Sequence, residues 1–518
     1  MLCLPPAKAL SLAKFFYVAR RQFDRIFSEP SIMQRRCVAL LWTRYGTASV
    51  FHGGASMAQT ERSFGEIHFG DAKLGNRART RRLVKAADAL AKHPGGTLPD
   101  KIKNPADLLA LYRLAKRPEV THASVLASHQ AETIRRIEQH PGPLLAICDA
   151  TELDFSGLTS IKNLGQIGNG SRRGYVCQNL LIVDPNGRQA LGLANQILHT
   201  RAKTPPGEKR EKGRRRKSRE SRLWLEATKP LPGDRKLIVV CDRGGDTFEQ
   251  LEHEAKSGRR FVIRSAKNRW MMAGHAGAGE KQKLHATARR AKAAGSYTVE
   301  VGATAEQPAR KATVQFSFMA VRLIPPQQPR GQHSQEALPV WVVRVWESNP
   351  PPGAEPLEWF LLTNEPVDRA ETARQVITWY ECRWVVEEFH KAQKTGCGIE
   401  TMQFTCKSRL EPMIALQSIV ALILLNLRDA SRRTYAETTP ATKVVAQEYV
   451  NVLSAWRHGE FRPDWTVHEF FLALARLGGH QNRRNDKRPG WLVLWRGWTA
   501  LQLLLTGSRL GNKQKKVG

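Results

Sequence analysis

Four side chains whose chemistry could act together recur within residues 380–394. At about 100° per residue, Tyr380, Arg383, Glu387 and Lys394 fall within an arc of roughly 60° on one face of a helix. A carboxylate can bind a metal ion, and cations on either side of it suit a metal held against phosphates. A solvated helix with ion pairs such as Arg383–Glu387 would show the same spacing. The geometry alone leaves both interpretations open.

Two further acids directly follow short apolar runs. Asp149 comes after residues 144–148, and Asp242 comes after residues 237–241. Runs of this length and composition predict buried strands, so each acid is expected at a strand end, where a sheet opens toward a cleft. One such acid is a weak signal, because strands often end in Asp at a turn. Together with Glu387, the two acids form the set needed for phosphoryl chemistry with two metal ions roughly 4 Å apart.

The spacing Tyr-x2-Arg-x3-Glu-x6-Lys resembles the Y-R-E-K signature of bacterial cut-and-paste transposases of the insertion-sequence-four family. Further similarities follow in order over roughly residues 60 to 505, among them Leu74-Gly-Asn76, Asp149-Ala-Thr151, Cys241-Asp242-Arg243, Trp359-Phe-Leu-Leu-Thr363 and Trp495-Arg-Gly-Trp498. One departure is Ala150, where a Thr commonly follows the first acid. The resemblance implies an α/β, ribonuclease-H-like catalytic core whose Asp-Asp-Glu triad is Asp149, Asp242 and Glu387.

The resemblance also implies roles for individual residues. The triad would hold two Mg²⁺ per active site, with Mn²⁺ as a substitute. The expected DNA-binding residues are Tyr380, Arg383, Lys394, Arg264, Trp359, Arg79 and Arg82. Among these, Trp359 would stack on a flipped base, whereas the ordinary interpretation is a core tryptophan. Arg264 would contact DNA near the cut, whereas the ordinary interpretation is a strand-edge arginine.

Composition points to the same kind of partner. The chain has 518 residues and carries 81 Lys and Arg against 47 Asp and Glu, a net charge of +34 that favours a polyanion such as double-stranded DNA. The basic blocks 201–222 and 483–516 predict only unspecific phosphate attraction. Eight cysteines without zinc-type spacing indicate a reduced, cytoplasmic protein. The family resemblance implies a bacterial, nucleoid-associated one. No apolar run reaches the ~18 residues of a membrane span, so no membrane is expected.

The expected organisation has four parts. We interpret residues 1–56 as an unassigned basic extension lying upstream of a native start at Met57. Residues 57–139 are expected to form a helical domain that binds transposon ends. Residues 140–432 would form the catalytic domain, with a β-rich insertion at about 266–358. Residues 433–518 would form a helical dimerisation domain with a basic tail.

These expectations combine into one functional hypothesis. The protein would cut transposon ends, pass through a hairpin intermediate, and join the 3′ ends to target DNA, with two protomers acting on paired ends. One alternative is a non-catalytic DNA-binding inhibitor of transposition, against which the intact triad speaks. Another is a stand-alone metal-dependent nuclease, which the long helical C-terminal part and Trp359 disfavour.

Overall fold

The computed structural model describes residues 62–93, 95–202, 219–274, 279–302, 308–327, 333–432, 435–483, 486 and 488–514. All of them belong to one unit of the chain, residues 52–518. The extension 1–56, most of the basic block 201–222 and the tail beyond residue 514 lie outside the described residues, so the interpretations given to them stay predictions.

The described chain begins with five helices. They are α1 (Phe64–Phe69), α2 (Arg77–Lys92), α3 (Leu98–Lys101), α4 (Pro105–Ala115) and α5 (His122–Gln139). Helix α2 begins where its capping residue predicts, because the side chain of Asn76 accepts a hydrogen bond from the backbone N–H of Arg79 at 2.9 Å. Its apolar face is buried, and its other face carries arginines and lysines to the surface.

A mixed sheet follows, with helices packed on it. Its first part contains β1 (Leu144–Asp154), β2 (Gly165–Gln166), β3 (Arg173–Asp184), β4 (Gln189–His199), α6 (Leu223–Thr228), β5 (Leu237–Cys241), α7 (Phe248–Lys256) and β6 (Arg260–Arg264). Strands β3 and β4 form the expected antiparallel hairpin. Strands β1, β5 and β6 run parallel, and every residue of β5 is buried, as is typical of a strand covered on both faces.

The segment between β6 and the Y-R-E-K helices is rich in strands. It contains β7 (Trp270–Ala273), β8 (Gln282–Lys283), α8 (Leu284–Arg290), β9 (Gly295–Val301), β10 (Arg310–Leu323), β11 (Leu338–Glu347) and β12 (Glu358–Thr363). These strands extend the same sheet, in the order β2-β3-β1-β5-β6-β12-β11-β10-β7-β8, with β4 beside β3 and β9 beside β10. The β-rich segment is therefore joined edge to edge with the catalytic part of the sheet.

The stretch 380–394 is not the single helix that its spacing predicts. It comprises the end of α9 (Ala370–Glu381), a turn, α10 (Trp384–Lys391) and a π turn (Ala392–Gly396). At the break, the backbone N–H of Arg383 bonds the carbonyl of Tyr380, three residues back instead of four. Such tightening changes the direction of the chain, so the one-helix prediction is wrong near the start of the stretch and at its end.

The C-terminal part is helical. It contains α11 (Lys407–Arg432), α12 (Gln447–His458), α13 (Val467–Leu477) and α14 (Trp491–Gln514). By length and composition, residues 407–426 of α11 could cross a membrane, but most of this stretch is buried inside the protein, as expected for a core helix. The sheet with its packed helices and the helical regions at both ends confirm the predicted α/β class.

Candidate active site

Two of the predicted acids lie at the same level of the sheet. Cys148 in β1 and Cys241 in β5 are register partners, so Asp149 and Asp242 each follow one of a matched pair. Asp242 leaves the strand as expected, and its Oδ1 accepts a hydrogen bond from the N–H of Gly244 at 2.9 Å. The expectation for Asp149 is wrong in one respect, because β1 continues through it to residue 154. The long antiparallel partner β3 holds β1 extended beyond the point where β5 stops.

Arg383 joins the first acid to the third. Its Nη1 donates to Oδ2 of Asp149 at 2.6 Å and to Oε1 of Glu387 at 3.2 Å. The side chain of Asp149 is 11 % exposed, while the side chain of Glu387 is 37 % exposed. The structure thus places a buried and a more accessible carboxylate on either side of one guanidinium.

The charged groups around Asp149 shift the pKa of its carboxyl group. The pKa of Asp149 is raised to about 7, mainly by burial and then by the negative charge of Asp242, while Arg383 opposes the rise. The charge of Glu387 adds a smaller rise of the same pKa. Three anions with one arginine favour additional positive charge, because a nearby cation stabilises the ionised form of each carboxyl group.

Whether these residues fit a metal ion depends on the donor set. Carboxylate oxygens are the ligands that Mg²⁺ and similar hard cations prefer. Within the described residues, no three His, Cys, Asp or Glu side chains are already arranged to hold a metal ion. Arg383 lies between Asp149 and Glu387 and satisfies both. The donors therefore fit divalent cations in kind, provided that the guanidinium of Arg383 moves aside.

Tyr380 and Arg264 flank the carboxylates. Tyr380 is buried at the end of α9, and burial raises the pKa of its phenol, while the neighbouring charge of Arg264 lowers it. A guanidinium nitrogen of Arg264 also donates to the carbonyl oxygen of Glu358 at 3.2 Å. Both side chains are close enough to influence each other's charge, so the structure brings them together as neighbours.

Trp359 lines a cavity next to this group. Its ring centroid lies 6.1 Å from that of Tyr380. The cavity has a volume of about 800 Å³ and is bordered by Trp359, Arg264, Arg243 and Arg289 among others. A half-buried aromatic face beside three guanidinium groups suits a planar ring attached to a phosphate, because bases stack on aromatic side chains and phosphates pair with arginines.

Lys394 lies in the π turn that follows α10 and is partly exposed. Its charge acts on His390, whose pKa is lowered to about 3, mainly by burial and then by the charges of Lys394 and Arg383. Lys394 also contributes to lowering the pKa of Asp154, after the hydroxyl and backbone of Ser156. The charge of Lys394 thus acts on the end of β1.

Arg79 and Arg82 lie in α2, outside the carboxylate cluster. Arg82 is exposed. Arg79 is half-buried, pairs with Glu119 at 2.8 Å and donates to the carbonyl of Leu74 at 3.0 Å. Arg79 therefore already has a structural role in shaping the start of α2.

Two family models match the chain. The model for a transposase DNA-binding domain matches residues 56–120, and the model for a transposase DDE domain matches residues 212–424.

The chain carries the domains of a DDE transposase.

Most of the predicted site residues lie within one of the two matched regions. Arg79 and Arg82 fall within the DNA-binding match, which makes DNA the partner of this protein. The DDE match contains Asp242 and Glu387, while Asp149 precedes it. A DDE domain implies a ribonuclease-H-like core, in agreement with the mixed sheet, and DDE domains depend on divalent metal ions.

Two cavity residues of the DDE domain escaped the sequence analysis. His285 and Arg289 of α8 border the cavity, and the His285 ring stacks on Phe360 with centroids 4.2 Å apart. Neither carries a sequence signal, because both lie in the strand-rich segment, far along the chain from the triad. Arg243 could have been found, since it directly follows Asp242 in the motif.

Proposed function

We propose that this protein is a cut-and-paste DNA transposase of the insertion-sequence-four type, resembling the transposon-five transposase. It would cleave transposon ends, pass through a hairpin intermediate and transfer the 3′ ends into target DNA. The observation that carries this proposal is the shared guanidinium: Arg383 contacts both Asp149 and Glu387, beside Asp242.

The triad residues Asp149, Asp242 and Glu387 would hold the metal ions, two Mg²⁺ per site, with Mn²⁺ as a substitute. When bound, the metal ions supply activation of the attacking oxygen and compensation of charge on the leaving oxygen. The raised pKa of Asp149 supports this assignment, because a buried carboxyl group beside two other acids gains most from added positive charge.

The cations around the triad would bind the DNA backbone. Arg383, Lys394 and Arg264 would bind phosphates on either side of the cut, and the phenol of Tyr380 would add a hydrogen bond. Arg383 suits two states, because its guanidinium satisfies carboxylates in the free protein and can pair with a phosphate when DNA is bound.

The cavity beside Trp359 supports the hairpin step. A hairpin end reverses the DNA strand sharply, which is easier when one base leaves the stack. Trp359 offers that base an aromatic face, and Arg243, Arg264 and Arg289 offer its phosphates positive charge. We assign Trp359 the role of stacking on the extruded base.

The proposal also assigns a role to each larger segment of the chain. Residues 57–139 would recognise the transposon ends through Arg79 and Arg82, and residues 140–432 would cut and join. Residues 433–518 would mediate the homodimer that pairs two ends. The protein would work in the bacterial cytoplasm, associated with the nucleoid.

The test uses the whole protein and a linear DNA fragment that bears the ends of its own element. With Mg²⁺ we expect nicks at the ends, then hairpins, then joining of the freed 3′ ends to a supercoiled target. Binding without cleavage would favour an inhibitor of transposition. Cleavage without joining would favour a metal-dependent nuclease.

A further inference from the structure

The DNA-binding region reaches the catalytic region at the turn that carries Lys394. Lys101, at the end of α3, is 2 % exposed, and its ammonium donates to the carbonyl oxygen of Cys397 and to Oε1 of Gln417. These partners lie 296 and 316 positions further along the chain. Cys397 directly follows the π turn, and its N–H closes that turn on the carbonyl of Ala392 at 2.7 Å.

Burial of the Lys101 ammonium at this position is energetically unfavourable. Both of its acceptors are uncharged oxygens, and burial lowers its pKa to about 8. A buried charge without a charged partner destabilises a fold more than an apolar side chain of the same size would. Stability therefore does not account for Lys101. The ammonium does fix the relative positions of two segments, because one nitrogen donates a hydrogen bond to an acceptor in each of them.

The backbone near Lys101 also approaches the end of the π turn closely. Gly398 has a φ of 58°, and a Cβ there would lie 3.3 Å from the carbonyl oxygen of Gly96. Gly396, the last residue of the turn, has no space for a Cβ, which would meet Leu424 at 2.3 Å. The turn is thus held tightly between α11 and the loop before α3.

A second buried contact holds the π turn from the side of the sheet. Gln393 donates to the hydroxyl of Ser418 at 2.9 Å and accepts from the amide of Asn179 at 3.3 Å. Asn179 is the register partner of Asp149. The π turn is therefore tied to β3, the antiparallel partner of the strand that carries the first acid, as well as to the DNA-binding region.

We propose that Lys101 is a positioning residue for phosphoryl transfer. By holding Cys397 and α11 from the DNA-binding region, it sets the place of Lys394 relative to Glu387. The domain that grips the transposon end thereby fixes the lysine that binds the phosphate to be cut. This inference rests on the proposed function. The π turn agrees with such a role, because π turns inside helices are frequently found at functional sites.

The first test replaces Lys101 by methionine, which matches the unbranched stem and removes the ammonium. We expect Lys101→Met to bind a transposon end as the wild type does and to keep a melting temperature close to that of the wild type, because removal of a buried charge offsets the loss of two hydrogen bonds. Its single-turnover nicking rate should fall by about ten- to hundredfold, because small misplacements of binding groups cost that much. The matched control is Lys103→Met, which removes an exposed lysine two positions away and should nick normally.

The second test asks whether Lys101 acts through Lys394. In a Lys394→Ala background, adding Lys101→Met should lower the nicking rate by less than twofold, because the group it positions is gone. Should Lys101→Met not fold, Lys101→Gln takes its place, with the same expectation.

Three results would overturn the proposal: a wild-type nicking rate, additive losses in the double variant, or end binding and melting temperature lost in parallel with the rate. If the wild type itself fails to nick, the proposed function fails instead. Normal nicking by both the wild type and Lys101→Met would leave the proposed function standing and remove only the role of Lys101.

Discussion

Arg383 donates to Asp149 at 2.6 Å across 234 positions of sequence, and the same nitrogen contacts Glu387. One cation thus occupies the place between two acids that the proposed function assigns to metal ions. The guanidinium and a divalent cation would compete for the same carboxylate oxygens.

That competition predicts opposite effects of Arg383→Gln on two quantities. Divalent metal should bind about tenfold more tightly, because a charge-assisted contact no longer opposes it. Nicking should become about ten- to hundredfold slower, because a phosphate contact is lost. The melting temperature as a function of Mn²⁺ concentration measures the first effect, and single-turnover nicking measures the second. Arg374→Gln, which removes an arginine paired with Glu381, is the control. Weaker metal binding by Arg383→Gln would contradict the competition.

Trp359→Ala should separate two steps of the reaction. Base–aromatic stacking is worth ~1–3 kcal/mol, so hairpin formation should slow by about one to two powers of ten while the first nick stays almost unchanged. Trp346→Ala removes another half-buried tryptophan of the same sheet and serves as the control. Nicking and hairpin rates on one end substrate, with melting temperatures, decide the outcome. Equal losses in both steps with a lowered melting temperature would make Trp359 an ordinary core residue.

A third expectation concerns stability and pH. Burial lowers the pKa of His129 from 6.5 to about 3, so the unfolded chain binds a proton that the folded chain does not. The contribution of neutral His129 to the free energy of unfolding is fully present above pH 6.5 and is lost as the pH drops from 6.5 toward 3. At pH 5 this histidine should lower the free energy of unfolding by about 2 kcal/mol.

Urea unfolding at pH 7.5 and pH 5 measures this loss. His129→Gln should show a smaller difference between the two pH values, even if it is less stable at both. His458→Gln, which removes an exposed histidine, should behave as the wild type does. A difference as large in His129→Gln as in the wild type would rule out the buried neutral histidine as its cause.

The sequence was most informative where chemistry and local structure coincide. The strand before Asp242 followed from a short apolar run, and the α/β class followed from the family resemblance. The extent of β1 did not, because its pairing with β3 keeps the strand going past Asp149, and pairing between strands leaves no local signal. The break at Cys382 and Arg383 was missed because the helical spacing on either side is regular.

The contacts between distant segments were beyond the sequence analysis. Lys101 is one of 81 basic residues, and only the fold shows that it is buried against Cys397 and Gln417. His285 and Arg289 reach the cavity because β7 to β11 join the catalytic sheet. Such placements depend on tertiary packing, which residue types and spacing do not determine.

The central claim is that Asp149, Asp242 and Glu387 hold the catalytic metal ions. The direct measurement is single-turnover nicking of a transposon end in Mg²⁺ by Asp149→Asn, Asp242→Asn and Glu387→Gln, with end binding measured alongside. Glu388→Gln, the neighbouring acid, is the control. Each triad variant should bind the end as the wild type does and nick about a thousandfold more slowly or not at all, because the carboxylates act as one unit. A triad variant that nicks at close to the wild-type rate would contradict the assignment.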